Sequence, residues 1–375
     1  MHIVFIIANN SSVPYFNWFA RKSIENPELK FSFIALCEEY PKMLDEMKEK
    51  NCDCHWFKFN SAKRKTSTIK VLFKLVPFLK KTKPDIVHTH LFDDSFPGLL
   101  AARIAGVKVR IATKQDAAYH WFYSPKAIKF DKFNNQNATH LIAVSEECKK
   151  FILENEKAPA EKVHLIHHGI EPGELTNPSP EHKETLIKRF DLKDKIVLGT
   201  VARYIDWKGY KYIIEAACDV VKEFPNAVFL FIGSGPQGEE LEKMVKEKKL
   251  INNVIFTGWL ERELVPSIYS IMDLYVHAAF YEPFGFVIAE AMMNAVPVIS
   301  TPTGAAKDAI THLHNGYLVP YKNSKELSRG IITMLLNENK KQIGLNGKQT
   351  ALKMYDFSLM YSKYVSLYEK AANQK

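Results

Sequence analysis

The sequence predicts an α/β protein made of two doubly wound, parallel-sheet domains. Short apolar runs alternate with helical patterns along both halves of the chain. A segment with three prolines separates the two series, and the turns leaving the apolar runs of the second half carry glycines and charges. A chain of 375 residues also exceeds one typical core.

Residues 3–8 and 31–36 are strand-like, and Lys83-Pro-Asp-Ile-Val-His-Thr-His90 reads as a strand exit before a helical pattern over 96–105. Further strand candidates are 109–113, 140–144 and 163–166. Between Glu171 and His182 the composition shifts to Pro, Gly, Ser and Thr, which predicts a linker. The second series then runs strand 196–201, helix 210–224, strand 228–232, helix 237–249 and strand 254–257. It continues through strand candidates 274–277, 297–300 and 316–319 to an amphipathic helix over 358–372. Two Rossmann-like halves joined by a linker would place a cleft between them.

Composition excludes several classes. Hydrophobic content of 46% and charged content of 25% are those of a globular protein. The apolar start of the chain is short and lacks a basic flank, so it reads as a first strand rather than a signal peptide, and no window reaches transmembrane length. Cys37, Cys52, Cys54, Cys148 and Cys218 are odd in number and lack zinc spacing, so they read as reduced cytoplasmic thiols. The net charge of +9 is uneven: residues 1–170 hold 26 Lys and Arg against 18 Asp and Glu. A basic first half suggests an anionic partner. Within 61–83, Ile69, Leu72, Phe73, Val76 and Leu79 recur at helical spacing, with Lys70, Lys74, Lys80, Lys81 and Lys83 among the rest. Such a helix either lies on an anionic membrane or packs its apolar side on a sheet with lysines in water.

The chemistry concentrates in Tyr281-Glu-Pro-Phe-Gly-Phe-Val-Ile-Ala-Glu290-Ala-Met. Glu282 falls on the loop after strand 274–277, and Glu290 in the helix that Gly285 or Phe286 opens. In an open α/β sheet, ligands bind at that edge, and a helix start suits phosphate. A single Glu near a helix start is equally a dipole-stabilising surface residue. Its neighbours argue otherwise. Arg203 and Lys208 follow strand 196–201 and can clamp a diphosphate. Gly233-Ser-Gly-Pro-Gln-Gly238 formally matches a dinucleotide fingerprint. It does not open the first strand of a domain, no acid-ended strand follows, and Pro236 removes a donor, so a turn near nucleotide phosphate or base is the better reading than NAD binding. Thr301-Pro-Thr-Gly304 is another such turn. Their convergence on one sheet edge outweighs each alone.

The chain resembles the retaining glycosyltransferases of family 4, with the GT-B fold of two Rossmann-like domains facing a central cleft. The resemblance rests on Arg203 with Lys208, Gly233-Ser-Gly-Pro236, residues 254–258, and above all Glu282 and Glu290 with seven residues between them. It implies an acceptor-side domain over 1–170, a nucleotide-sugar domain over 171–356, and a last helix, 357–375, packed back on the first. Arg203 and Lys208 would hold the donor's diphosphate, with Gly233 and Gly235 near phosphate or base. Glu290 would bind the ribose and Glu282 the donor sugar, with the N–H groups of Phe284 and Gly285 near sugar or phosphate and Phe286 among the donor-binding residues. The co-substrate would be a UDP- or GDP-linked sugar, with no metal and no other cofactor. The acceptor would be a glycan or a polyprenyl or other lipid-linked molecule, met at the cytoplasmic face of the inner membrane, and no nucleic acid partner is implied. The setting would be bacterial surface polysaccharide or lipopolysaccharide synthesis.

The first domain departs from the family's pattern. The loop 9–16 has no glycine, and Ser11, Ser12 or Tyr15 would replace its contacts. Where relatives carry a His after the strand 110–113, this chain has Lys114-Gln115-Asp116, so either Gln115 stands in or His120 reaches the site from the next loop, as a catalytic candidate beside Glu282, Arg203 and Lys208. His167-His168-Gly169 reads as hinge packing. These departures leave a catalytically inactive sugar-nucleotide-binding or scaffolding homologue as the alternative, and an NAD-dependent Rossmann enzyme as a weaker one.

Overall fold

The structure is a computed structural model that describes residues 1–373 apart from 10–12, 117–120 and 122–123. It divides into two compact units, Met1–His167 with Met360–Lys375, and His168–Leu359.

The first unit is built on seven parallel strands: β1 (His2–Ile7), β2 (Lys30–Cys37), β3 (Asp53–Lys58), β4 (Ile86–Thr89), β5 (Val109–Lys114), β6 (His140–Ala143) and β7 (Val163–Leu165). They lie in the order β3-β2-β1-β4-β5-β6-β7. In β1, Ile3 pairs with Phe31 on one side and Ile86 on the other, and residues 3–7 are fully buried, as a strand covered on both faces requires. The strand order reverses between β1 and β4, the kind of switch point at whose carboxyl edge such sheets bind ligands.

Two elements differ from the sequence expectation. The segment 9–16 is not all loop: a helix, Pro14–Glu25, begins at Pro14, whose fixed φ suits a first helical position. In the helix Arg64–Thr82, the sheet is met by Val71, Leu75 and Leu79, which pack with Val4, Ile6, Ile34 and Val87. Ile69 and Phe73 instead point outward, 58% and 79% exposed.

The last helix, Phe357–Asn373, belongs to the first unit from Met360 onward. Tyr364 and Tyr368 are fully buried there. The Tyr15 hydroxyl donates to the Tyr364 hydroxyl at 3.1 Å, and the Tyr368 hydroxyl meets His88 Nδ1 at 2.7 Å.

The second unit holds six parallel strands: β8 (Ile196–Val201), β9 (Ala227–Ile232), β10 (Val254–Gly258), β11 (Leu274–His277), β12 (Val298–Ser300) and β13 (Tyr317–Leu318), ordered β10-β9-β8-β11-β12-β13. Ile213, Ile214, Ala217 and Val220 of the helix Tyr210–Glu223 cover it as their spacing predicts. The expected linker is ordered within this unit. Pro172 and Pro180 open two short helices, and the Ser179 N–H donates to Ser267 Oγ at 3.1 Å. Among the described residues, no helix is long and apolar enough to cross a membrane.

Candidate functional site

In the second unit, the residues singled out from sequence gather at the carboxyl ends of four adjacent strands. Neighbouring strands lie about 4.8 Å apart, so these loops can share one ligand. After β9, Gly233 sits at φ +137°, and a Cβ there would approach the Ala202 carbonyl oxygen to 2.1 Å. Only glycine lets the turn lie this close to the exit of β8. Gly235 is as tightly placed, with the Tyr204 backbone 2.5 Å from where its Cβ would be.

After β8, Arg203 is exposed, and Lys208 ends a single 3₁₀ turn, Asp206–Lys208. Lys208 reaches across to β11: its Nζ forms a short ion pair with Glu282 Oε2, with the two side chains 16% and 11% exposed. The Phe280 N–H donates to the Trp207 carbonyl at 3.0 Å, tying the two loops together.

The turn 282–285 folds back because Gly285 takes φ +84° and caps the helix Phe286–Met293. The first N–H groups of that helix have no intrahelical partner and face this edge. The Phe284 ring does not line the site. It is 3% exposed and packs on Tyr355 and on His168, which also stacks on Phe286 at 4.8 Å. The contribution of Phe284 is therefore confined to its backbone. Glu290, one turn into the helix, accepts from the Tyr269 hydroxyl at 2.8 Å. Burial pushes its carboxyl above the usual range, against the pull of Tyr269 and of the Arg262 charge.

Three neighbours were not singled out from sequence. Tyr269 is the partner of Glu290. Trp259, 76% exposed, follows β10 beside the Gly233 turn, whose N–H donates to the Gly258 carbonyl at 3.0 Å. His277, the last residue of β11, is fully buried with Nε2 3.7 Å from Glu282 Oε2. Its signal in the sequence is a polar residue closing an apolar strand five positions before Glu282.

In the first unit, Gln115 and Asp116 follow β5 and line a cavity of about 390 Å³ with Ala8, His90, Lys114 and Asp131, at the carboxyl edge of β1, β4 and β5. Lys114 is held by Asp131 at 2.7 Å and Glu156 at 3.1 Å, which fixes the start of that loop. Buried Asp94 accepts from the backbone N–H groups of Ala8, His90 and Leu91 at 2.8–3.0 Å and so joins the ends of β1 and β4. Tyr15 is not available as an acceptor contact. It is 4% exposed and packs among Phe16, Phe19 and His90, its hydroxyl turned to Tyr364, because it lies inside the helix rather than on the loop. Ser11, Ser12 and His120 lie outside the described residues.

Residues 182–350 match the family of glycosyl transferases group 1, and residues 28–174 match Glycosyltransferase Family 4. An uncharacterised glycosyltransferase of Methanocaldococcus jannaschii is 26% identical over 316 residues, 79% of this chain and 77% of its own length. The UDP-Gal:α-D-GlcNAc-diphosphoundecaprenol α-1,3-galactosyltransferase of Escherichia coli is 26% identical over 336 residues, 84% and 83% of the two chains. In fold, the chain is similar to Anabaena HepE solved with UDP-glucose, at a TM-score of 0.84 and 19% identity over 99% of this chain and 100% of that one. With one family model matched in each unit, on two parallel α/β sheets, the chain belongs to glycosyltransferase family 4 and has the GT-B fold.

Proposed function

We propose that the enzyme transfers a sugar, with retention of anomeric configuration, from a nucleoside diphosphate to a glycan or lipid-linked acceptor in bacterial surface polysaccharide or lipopolysaccharide synthesis. The observation that carries this reading is the order of groups along one sheet edge: the Gly233 turn, then Arg203 and Lys208, then Glu282 and the helix start. That order matches base or phosphate, diphosphate and sugar along a sugar nucleotide. The UDP-glucose bound by HepE and the UDP-galactose used by the E. coli relative favour a uridine donor over a guanosine one.

The chemistry follows from where charge develops. The bond from the anomeric carbon to the phosphate oxygen breaks toward an oxocarbenium-like state while negative charge grows on the departing diphosphate. Arg203, Lys208 and the helix N-terminus counter that charge, in place of a metal ion. The acceptor oxygen attacks from the face the phosphate leaves, and its proton passes to the phosphate oxygen. Glu282 binds sugar hydroxyls rather than forming a covalent intermediate. Glu290 binds the ribose. The first-unit cavity beside Gln115 and Asp116 receives the acceptor.

A lipid-linked acceptor calls for membrane docking at the cytoplasmic face. Residues 61–83 hold eight Lys and Arg and no Asp or Glu, and the outward Ile69 and Phe73 lie one helical turn apart. Each such charge near an anionic surface contributes about 1 kcal/mol.

The deciding experiment is a screen for hydrolysis of UDP-, GDP- and ADP-sugars, with the product anomer read by NMR. Turnover of one donor is expected, with retention, unchanged by EDTA, and lost in Arg203→Ala. Inversion, or no nucleoside diphosphate binding at all, would refute the reading.

A further inference from the structure

We propose that His277 is a positioning residue of the transfer reaction, taking over the Glu282 carboxylate when Lys208 turns to the donor's diphosphate. The proposal rests on the reading of Lys208 as a phosphate ligand.

Two donors face one oxygen. Lys208 Nζ is paired with Glu282 Oε2, and His277 Nε2 stands 3.7 Å from the same atom, just beyond hydrogen-bond reach. The imidazole is fully buried, and neither ring nitrogen has a hydrogen-bond partner among the described residues. A buried polar group in that condition destabilises a fold, and an aliphatic side chain would serve a parallel strand better. Its retention calls for a use.

The surroundings fix which group moves. His277 ends β11, its carbonyl accepts from the Thr301 N–H at 3.0 Å, and its ring lies nearly parallel to Tyr275, at 15° and 6.2 Å. Glu282 sits on a loop, so the carboxylate is the mobile partner, and a shift of about 0.8 Å closes the bond to ordinary length. When Lys208 follows the diphosphate, a carboxylate that is 11% exposed would otherwise lose its cation. With Lys208 in place, burial and then the Lys208 charge lower the imidazole's pKa to about 3, and burial, the larger cause, remains when Lys208 leaves. It therefore supplies an N–H without a second cation that would compete for the diphosphate. Glu282 stays aimed at the sugar throughout.

The test compares His277→Leu and His277→Gln in the full chain, using UDP as the binding probe and the best-turned-over sugar nucleotide of the donor screen as substrate. For His277→Leu, UDP affinity should fall several-fold, because Lys208 then leaves Glu282 without a partner, and kcat should fall at least tenfold. Its Tm should rise by about 2–4 °C as the unpaired imidazole is removed. His277→Gln, which restores an N–H donor, should recover kcat to within about threefold. His277→Leu turnover within twofold of wild type would overturn the proposal. So would a fall in Tm with a loss of kcat that His277→Gln does not recover, which is the pattern of a merely structural residue. If wild type binds no UDP or GDP, the reading of Lys208 fails first and the proposal with it, so the two failures are distinguishable.

Discussion

Acid should destabilise the first unit through His88, and the size of the effect follows from its surroundings. His88 is fully buried, with Nδ1 2.7 Å from the Tyr368 hydroxyl and Nε2 2.8 Å from Thr113 Oγ1. Burial lowers its pKa from 6.5 to about 3. The folded state therefore refuses a proton that the unfolded chain accepts below pH 6.5. Because the unfolded state binds more protons, stability is full above about pH 6.5 and is lost progressively as the pH falls toward 3. At pH 5 the unfolded imidazole is protonated over neutral by about 1.5 log units, a loss of about 2 kcal/mol relative to pH 8. The perturbation is His88→Phe, which cannot titrate. At pH 8 it should cost about 1–3 kcal/mol by stranding the Tyr368 hydroxyl. At pH 5 that deficit should shrink by about 2 kcal/mol, because only wild type then carries the protonation cost. Urea unfolding of both proteins at the two pH values gives the difference directly. An equal deficit at both would refute the reasoning.

Two further outcomes test the site and the surface. Gly233→Ala should lower UDP affinity at least tenfold and cost about 1–3 kcal/mol of stability, because the new Cβ would lie 2.1 Å from the Ala202 oxygen; wild-type binding by isothermal titration would contradict the assigned turn. Phe73→Asp should reduce sedimentation with anionic vesicles at low salt several-fold while leaving donor hydrolysis unchanged, since this residue is 79% exposed and packs on no sheet; an absence of wild-type binding to those vesicles would remove the docking role.

The central strands and the sheet edge were legible because a parallel sheet buries both faces and its loops converge by topology. β8 and β11 fall where their apolar runs lie. β3 was missed because it is an edge strand, Asp-Cys-His-Trp-Phe-Lys, only half-buried and without a continuous apolar run. Helical spacing located the helix Arg64–Thr82 but not its orientation. Ile69 and Phe73 read like core residues, and only the packing of Val71 and Leu75 on the sheet shows which side faces inward. Tyr15 failed for a similar reason, since Pro14 reads as a loop residue until the chain is seen to start a helix there. For His277 the sequence offers only a polar residue closing an apolar strand, and its approach to Glu282 depends on the fold-back of the turn at Gly285.

That turn also explains why two glutamates so close in sequence are held so differently. Glu290 is carried by a helix and held by Tyr269, so its position is set by regular structure. The role proposed for Glu290, binding the unreacting ribose, needs that constancy. Glu282 lies on the loop, and a Cβ at Gly285 would come within 2.8 Å of its Cγ, so the glycine is what lets this side chain lie across the turn toward Lys208 and His277. The role proposed for Glu282, following the sugar through bond breaking, needs a choice of partners and a short path between them. The spacing of the pair thus places one carboxylate on a helix and the other on a loop, with both at the same sheet edge. It is this division, rather than the presence of two acids, that suits a transferase in which the nucleotide stays fixed while the sugar moves.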